Sequence, residues 1–422
     1  MSQKIGLVYL NRNAEGGEPV ARFVESYKKF SSGIAHEFIT IYKGFSDEEL
    51  CAAESLMDGV AHAHRAIRVD DAMTDIDSYL IAAKAHADID AFCFLNTFSE
   101  INCNDWLLHL SNALQKKNVG IVGASASYES LLNSSKLIDK VLWFCDRGRL
   151  PYDQSFHSQY MVYIDAEKPR WVSEARPDVK RPTTDELTKQ PPDLSFLEAF
   201  DAEFEDYWDT ITAIGSGNRA YCQNVPAFPN PHIRSNAFMI RRVHLLPFCH
   251  RRSLMTKIES YLFESGWHGL TRTILSQGLK ALVVNADGKS FEPKDWPGSR
   301  TFRTGGQQRL MVHDNQTLKF DTSGDLQRTF MAHMSWGDKS TYPAPPVSTL
   351  GVPFLATNLA KLDESAAERR LAGDDRGDQS GADEQRKLIR PWLHEKIATT
   401  NIVASVCFLP GTRCAQRFKL PK

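Results

Sequence analysis

Asn96 and Thr97 follow a run of apolar, β-favouring residues, Ala91 to Leu95, that is preceded by Asp88 and Asp90. A short apolar run between polar flanks reads as a fully buried strand. In open α/β sheets, ligands bind beyond the carboxyl ends of strands. The two polar side chains therefore stand where a ligand is gripped, and an ordinary strand-end turn is the plainer reading. Asp71 and Asp75 come after another short strand, Ile67 to Val69. A carboxylate there can accept hydrogen bonds from a nucleobase or ribose, or it can cap the next helix and offset its dipole. His232 and Arg234 lie on a loop stiffened by Pro229 and Pro231. Arg pairs bidentately with phosphate, and His adds a donor or binds a metal; the alternative is a solvated surface loop. Glu264 is followed by the helix-breaking Ser265-Gly266, which turns its carboxylate toward a cleft as a proton acceptor or leaves it in a helix-end ion pair. His268 and Arg272 share one helix face and can support it or simply pack. Trp296, Arg303 and Asp314 fall in a long polar loop, where an aromatic face can stack on a ring-shaped ligand.

These groups need elements to hold them, and strand and helix patterns alternate along the chain. Ile5 to Leu10 is a strand, Gly16-Gly17 a tight turn, and Pro19 sits in the first turn of a helix with Val20, Phe23, Val24 and Tyr27 on one face. Phe38 to Tyr42 is a second strand, and Ser46 with Glu49 forms a capping-box pattern for a helix through Met57. A helix over Ile76 to Ala87, the central strand, a helix over Cys103 to Gln115 and a strand over Val119 to Gly123 follow. Further on come a strand over Ser235 to Ile240 that ends in a solvated Arg241-Arg242, helices over Ser253 to Leu262 and Leu270 to Gln277, a strand over Leu279 to Val284, and a helix near Leu326 to Met334. This alternation predicts a mostly parallel, doubly wound α/β sheet flanked by helices. The stretch 145–224 is irregular, with a Pro-rich excursion over Arg176 to Pro192 and a helical pattern over Asp193 to Asp209. Prolines beyond Tyr342, a charged run over Asp363 to Lys387 and an apolar end over Ile397 to Leu409 mark a C-terminal extension. The expected division is a globular domain over 1–340 and a linker, charged segment and tail over 341–422.

The chain has 422 residues, long enough for one large domain or two. Its net charge of −2 supplies no basic field, so nucleic acid is not an expected partner. No apolar run reaches the length of a membrane span, and the start, from Met1 to Asn13, reads as a strand rather than a signal peptide. The eight cysteines have no CxxC spacing, so reduced, mostly buried thiols in a cytoplasmic protein are expected instead of a disulfide frame or zinc site.

The ordered motifs resemble bacterial GT-A-fold glycosyltransferases, on the branch of the rhamnan-synthesis-type polysaccharide enzymes. The likeness runs from Asp75-Ile76 with Tyr79, through Phe94-Leu95-Asn96-Thr97-Phe98, Trp106-Leu107 and Val119 to Gly123, to the segment Asn230 to Phe238. It ends with Glu264-Ser265-Gly266, Leu270, Arg272, Gly278 and Leu279, which resemble the acidic-motif helix before the last core strand. The resemblance implies a GT-A-like, Rossmann-like sheet, a nucleotide-sugar donor, and a glycan or lipid-linked acceptor in bacterial surface polysaccharide assembly. It also implies a hexosyltransferase of inverting type, cytoplasmic, with peripheral association at the inner membrane face left open. Glu264 would be the general base. Asp71, Asp75, Asn96, Thr97, His232 and Arg234 would hold the donor, and Trp296 and Arg303 would form the acceptor wall.

The family's Asp-x-Asp, which holds a divalent cation (Mg2+ or Mn2+) on the donor diphosphate, is replaced by Leu95-Asn96-Thr97. Asn and Thr offer neutral oxygens where a hard cation prefers carboxylates, so the metal stays undecided. Met73 stands in place of the family's early glycine, and Glu264 lies slightly early relative to Gly278. A non-catalytic sugar-nucleotide or glycan-binding partner with a degenerate GT-A fold is the alternative. A nucleotidyltransferase is disfavoured, because Asn11-Arg12-Asn13 precedes Gly16-Gly17 without a convincing phosphate loop.

Overall fold

The apolar run Ile5–Arg12 forms β1, whose first seven residues are all buried, and it becomes the axis of the fold. In the computed structural model, residues 3–58, 60, 64–134, 136, 224–249, 254 and 256–340 are described. The irregular stretch 145–223, with its excursion and helical pattern, and the C-terminal extension from 341 lie outside the described residues. The chain divides into two compact units, one of Met1–Ser127 with Pro231–Ser323, the other of Tyr128–Asn230 with Gly324–Lys422.

In the first unit, Gly16 turns the chain at φ 73°, a conformation that costs glycine little, into α1 (Gly17–Lys29). Phe23 of α1 stacks on Tyr9 of β1 with ring centroids 3.7 Å apart. β2 (Glu37–Lys43) leads to α2 (Asp47–Asp58), opened by the expected capping box: Ser46 Oγ accepts from Glu49 N, and Glu49 Oε2 accepts from Ser46 N. β3 (His64–Val69) pairs along its whole length with β2 and so begins earlier than its apolar run predicts. α3 (Asp75–Ala85), β4 (Ala91–Leu95), β5 (Glu100–Ile101), α4 (Trp106–Leu114), β6 (Val119–Gly123) and β7 (Ala126–Ser127) follow. After the second unit's segment come β8 (His232–Ile233), β9 (Phe238–Arg241), α5 (Arg242–Cys249), α6 (Lys257–Ser265), α7 (Leu270–Ser276), β10 (Lys280–Val284), β11 (Ser290–Phe291), β12 (Val312–His313) and α8 (Asn315–Thr322).

The main sheet has eight strands in the order β3-β2-β1-β4-β9-β6-β10-β11. β1, β2, β3 and β4 are mutually parallel, and β6 and β10 are parallel to each other. β9 lies antiparallel between β4 and β6, so the sheet is mostly parallel with one reversed strand inside it. All six parallel strands therefore end on one edge of the sheet, and β9 starts there. The chain leaves β1 toward β2 on one side and returns to β4 on the other. That reversal is where an open α/β sheet forms its ligand crevice.

Several expectations are corrected. The strand expected over Ser235 to Ile240 begins only at Phe238, because Ala237 takes a left-handed φ of 51° that ends extended pairing. The helix expected from Cys103 starts at Trp106, after a left-handed Asp105. Arg241 and Arg242 are not a solvated strand end. Arg241 donates to the carbonyls of Val119 and Leu114, and Arg242 Nε to that of Ala83 at 3.1 Å. They thus satisfy carbonyls at the ends of α4 and α3, which intrahelical bonds leave open, and one at the start of β6. Cys93 is buried, Cys103 and Cys249 are half-buried, and Cys51, expected among the buried thiols, is exposed on α2; all four are free thiols.

In the second unit, Tyr128 packs edge-on against Trp336, at a centroid distance of 5.1 Å, at the end of α9 (Asp325–Trp336). Ser130 Oγ donates to the Pro226 carbonyl at 2.6 Å, and Asn133 Oδ1 accepts from Phe228 N at 2.8 Å.

Candidate active site

The end of β1 carries Arg12, whose Nε and Nη2 donate to the two carboxylate oxygens of Asp71 at 2.7 and 3.0 Å. This fork reaches across β2, which pairs with β1 on one side and β3 on the other. Arg12 holds the Asp71 carboxyl below its ordinary range. Next to it, the buried Lys43 at the end of β2 donates to Asp75 Oδ1 at 2.8 Å. Asp71 and Asp75 remain 44% and 49% exposed, so both carboxylates still face solvent. Neither caps α3: that work falls to Thr74, whose side chain accepts from Asp77 N.

At the end of β4 the two polar residues divide. Thr97 is buried, donates to the Leu10 carbonyl at 2.8 Å, and accepts from Arg12 N at 3.2 Å. Tyr9 adds a hydrogen bond to the Thr97 carbonyl at 3.0 Å. Thr97 is a pin between β4 and β1. Asn96 Oδ1 accepts from Phe98 N at 3.0 Å and Ser99 Oγ at 3.2 Å, closing the turn. Its backbone N–H donates to Asn236 Oδ1 at 2.9 Å, which also accepts from Ser99 Oγ. The end of β4 is thereby tied to the loop between β8 and β9.

That loop carries the second cluster. His232 and Ile233 are fixed by pairing with Ser127 and Ala126. Glu264, in the last turn of α6, accepts from Ser235 Oγ at 2.8 Å and Ser235 N at 3.3 Å, with His232 Nε2 at 3.9 Å. The helix does break at Gly266, and the Glu264 side chain is 18% exposed. Arg234 pairs with Asp314 at 2.9 Å and lies over the Phe302 ring, 4.0 Å from its centroid. Arg303 lies over the same ring at 4.7 Å and donates to Gln316 at 3.3 Å. Burial would push the Asp314 carboxyl up, but the Arg234 charge and hydrogen bonds from Thr317 bring it below its ordinary value. Asp314 also caps α8 in a reciprocal box with Thr317.

The structure thus brings His232 and Glu264 together and joins Glu264 to Asn96 through Ser235-Asn236, while Arg234, on the same loop, turns its guanidinium to Asp314 and Phe302. It sets Asp71 and Asp75 on the same sheet edge. It does not supply the expected acceptor wall. Trp296 is wholly buried, donates its indole N–H to the Phe291 carbonyl, and offers no face to a ligand. Arg303 is 4% exposed, and Asp314 is buried as a cap and counter-ion. His268 lies before α7, not on one helix face with Arg272, and Arg272 instead stacks on the exposed Trp267. Sequence reasoning passed over Arg12, Lys43, Ser235, Asn236 and Trp267. Arg12 and Lys43 each stand at the last position of an apolar strand, a signal that was readable; the pairings of Ser235 and Asn236 depend on chain contacts that no local pattern shows.

The Asn96-Thr97 corner does not fit a hard divalent cation, since its side-chain oxygens are already engaged. Among the described residues no group of three His, Cys, Asp or Glu side chains could hold a metal ion. No helix among them is long and apolar enough to cross a membrane.

No family model matches the chain, and no curated protein matches it. Among solved structures it is similar to S. aureus TarS, at 13% identity over 29% of this chain and 21% of that one, with a TM-score of 0.24. It is similar to GalNAc-T7 with UDP, GalNAc and Mn2+, at 19% identity, 29% and 22% coverage, and a TM-score of 0.23. The mannosyltransferase PcManGT from Pyrobaculum calidifontis, in complex with GDP-Man and Mn2+, matches at 11% identity over 96% of this chain and 85% of that one, with a TM-score of 0.32. The chain spans only about a fifth of the length of the first two. At TM-scores this low the likenesses decide nothing about its chemistry.

Proposed function

We propose that this chain is a glycosyltransferase that moves a hexose from a nucleotide sugar to a glycan or lipid-linked acceptor, with inversion, in bacterial surface polysaccharide assembly. The setting would be the cytoplasm, with peripheral association at the inner membrane face. The observation that carries the reading is the approach of His232 to Glu264, with Ser235 holding the carboxylate and Asn236 tying the same loop to the end of β4. A carboxylate that can take a proton and a cation that can meet developing negative charge are what a displacement with an anionic leaving group requires.

In that step Glu264 takes the proton of the acceptor hydroxyl. The acceptor oxygen forms a bond to the anomeric carbon as the bond from that carbon to the diphosphate oxygen breaks, and the nucleoside diphosphate leaves with the electron pair. Arg234, oriented by Asp314 and Phe302, and His232 meet the developing negative charge. Asp71 and Asp75 accept hydrogen bonds from the base and ribose. Because the Asn96-Thr97 corner does not fit a cation, Arg234 and His232 are the groups that meet the leaving group's charge.

A second reading, a non-catalytic sugar-nucleotide or glycan-binding partner, is favoured by one observation. Asn96 and Thr97 spend their side chains on holding β4 to its neighbours. Thermal shifts with UDP-, GDP-, CMP- and dTDP-sugars, each with and without Mg2+ or Mn2+, separate the two when combined with a transfer assay. A stabilising donor together with transfer that Glu264→Gln abolishes, while donor binding persists, supports the enzyme. Transfer unchanged in Glu264→Gln removes that residue from the mechanism, and binding without any transfer favours the second reading.

A further inference from the structure

Trp267 is the one large aromatic side chain that stands exposed among the described residues, at 47%; the other exposed large apolar groups are the aliphatic Leu56 and Val243. It is not loosely held. Gly266 to Gly269 form a turn closed by a 2.9 Å hydrogen bond from Gly269 N to the Gly266 carbonyl, with Trp267 inside it. A Cβ on Gly269 would meet Gly266 N, Gly266 O and Phe263 O at 3.0 Å, so the turn admits no bulkier residue there without shifting backbone. The guanidinium of Arg272, on the first turns of α7, covers one side of the indole at 4.6 Å from the ring. An exposed indole fixed by a tight turn and a stacked cation loses little freedom when a ligand covers its other face.

Trp267 also has a meaningful address. It follows Glu264 by three residues at the end of α6, and three residues of chain reach at most about 11 Å. That upper limit keeps the Trp267 backbone within the reach of one or two sugar rings from the backbone of Glu264. A planar aromatic face accepts the apolar C–H face of a pyranose, and the Arg272 fork offers N–H donors at its edge for hydroxyls.

We propose that Trp267 is the acceptor platform: it stacks on a sugar ring of a glycan chain, with Arg272 as its backing, and sets the terminal hydroxyl against Glu264. This deepens the glycosyl-transfer reading and rests on it for the role of the bound glycan. The platform takes the place of the wall that Trp296 cannot form.

The test uses the full chain and its Trp267→Ala and Trp267→Phe variants. Chitotetraose, mannotetraose, maltotetraose and a rhamnose trisaccharide are titrated by calorimetry, and the nucleotide-sugar melting panel is run in parallel. The expected result is that one glycan binds, that Trp267→Ala weakens it about tenfold, that Trp267→Phe largely restores it, and that donor shifts are equal in all three proteins. Glycan affinity unchanged in Trp267→Ala overturns the platform, as does a wild-type chain that binds none of the four. If glycan binding depends on Trp267 while no nucleotide sugar shifts the melt, the platform stands and the transfer reading fails.

Discussion

Arg234 is held on two sides, by the buried Asp314 and by the face of Phe302. Removing one partner of a buried ion pair leaves the other charge uncompensated. Arg234→Ala and Asp314→Asn should therefore each destabilise the fold by about 3 kcal/mol, with the double variant costing less than the sum; urea unfolding of the four proteins measures the coupling. The pH dependence follows from the lowered Asp314 carboxyl. A depressed native value gives stability that is fully present above the unfolded value near 3.8 and is lost as pH falls below it. The gap between wild type and Asp314→Asn should thus be widest at neutral pH and close in acid. A gap that persists in strong acid would mean that the side chain acts by shape alone. Arg234→Ala should also weaken donor binding in the melting panel, and unchanged donor affinity would remove the phosphate role.

The strand ends carry the element-scale argument. Thr97 joins β4 to β1 through two side-chain hydrogen bonds in a buried setting. Thr97→Val keeps the shape and strands both partners, so it should cost about 2 kcal/mol, read from urea midpoints, without changing which nucleotide sugar binds. Thr256 opens α6 with a reciprocal capping box to Glu259. Thr256→Ala should lose about 1 kcal/mol, and any added loss of activity would report on the far end of the same helix, where Glu264 sits. Much at this scale was legible. Ala91–Leu95 is a strand because its apolar run can be buried on both faces, and Ser46-Glu49 starts α2 because its two side chains satisfy each other's backbone donors. What could not be read were the places where distant chain intervenes. Ala237 turns left-handed, delaying β9, and Arg241 and Arg242 reach carbonyls of α4, β6 and α3 that no local pattern announces. Trp296 and Trp267 look alike in sequence, each a tryptophan in a Gly- or Pro-bearing loop. Only packing separates the buried one from the exposed one.

At the scale of the whole molecule, every strand of the main sheet lies between Ile5 and Phe291. A chain ended after residue 345 is therefore expected to keep a cooperative melt. Calorimetry of that truncation, beside the full chain, checks it, and a lost transition would make the C-terminal extension part of the fold. The candidate site was legible in the same uneven way. Glu264, His232 and Arg234 stood out by residue type beside helix breaks and prolines, while the link from Glu264 through Ser235 and Asn236 to the end of β4 depends on where β9 enters the sheet.

That entry has a consequence for synthesis on the ribosome. β9 fills the gap between β4 and β6, yet its residues emerge more than a hundred positions after those of β4. At elongation rates of about 5–20 residues per second, the hydrogen-bonding edge of β4 waits on the order of ten seconds for its neighbour. A nascent chain with an open central edge is a template for the wrong strand. Slowing translation between the codons for Gly123 and Phe238 should therefore lower the yield of soluble protein more than slowing it elsewhere.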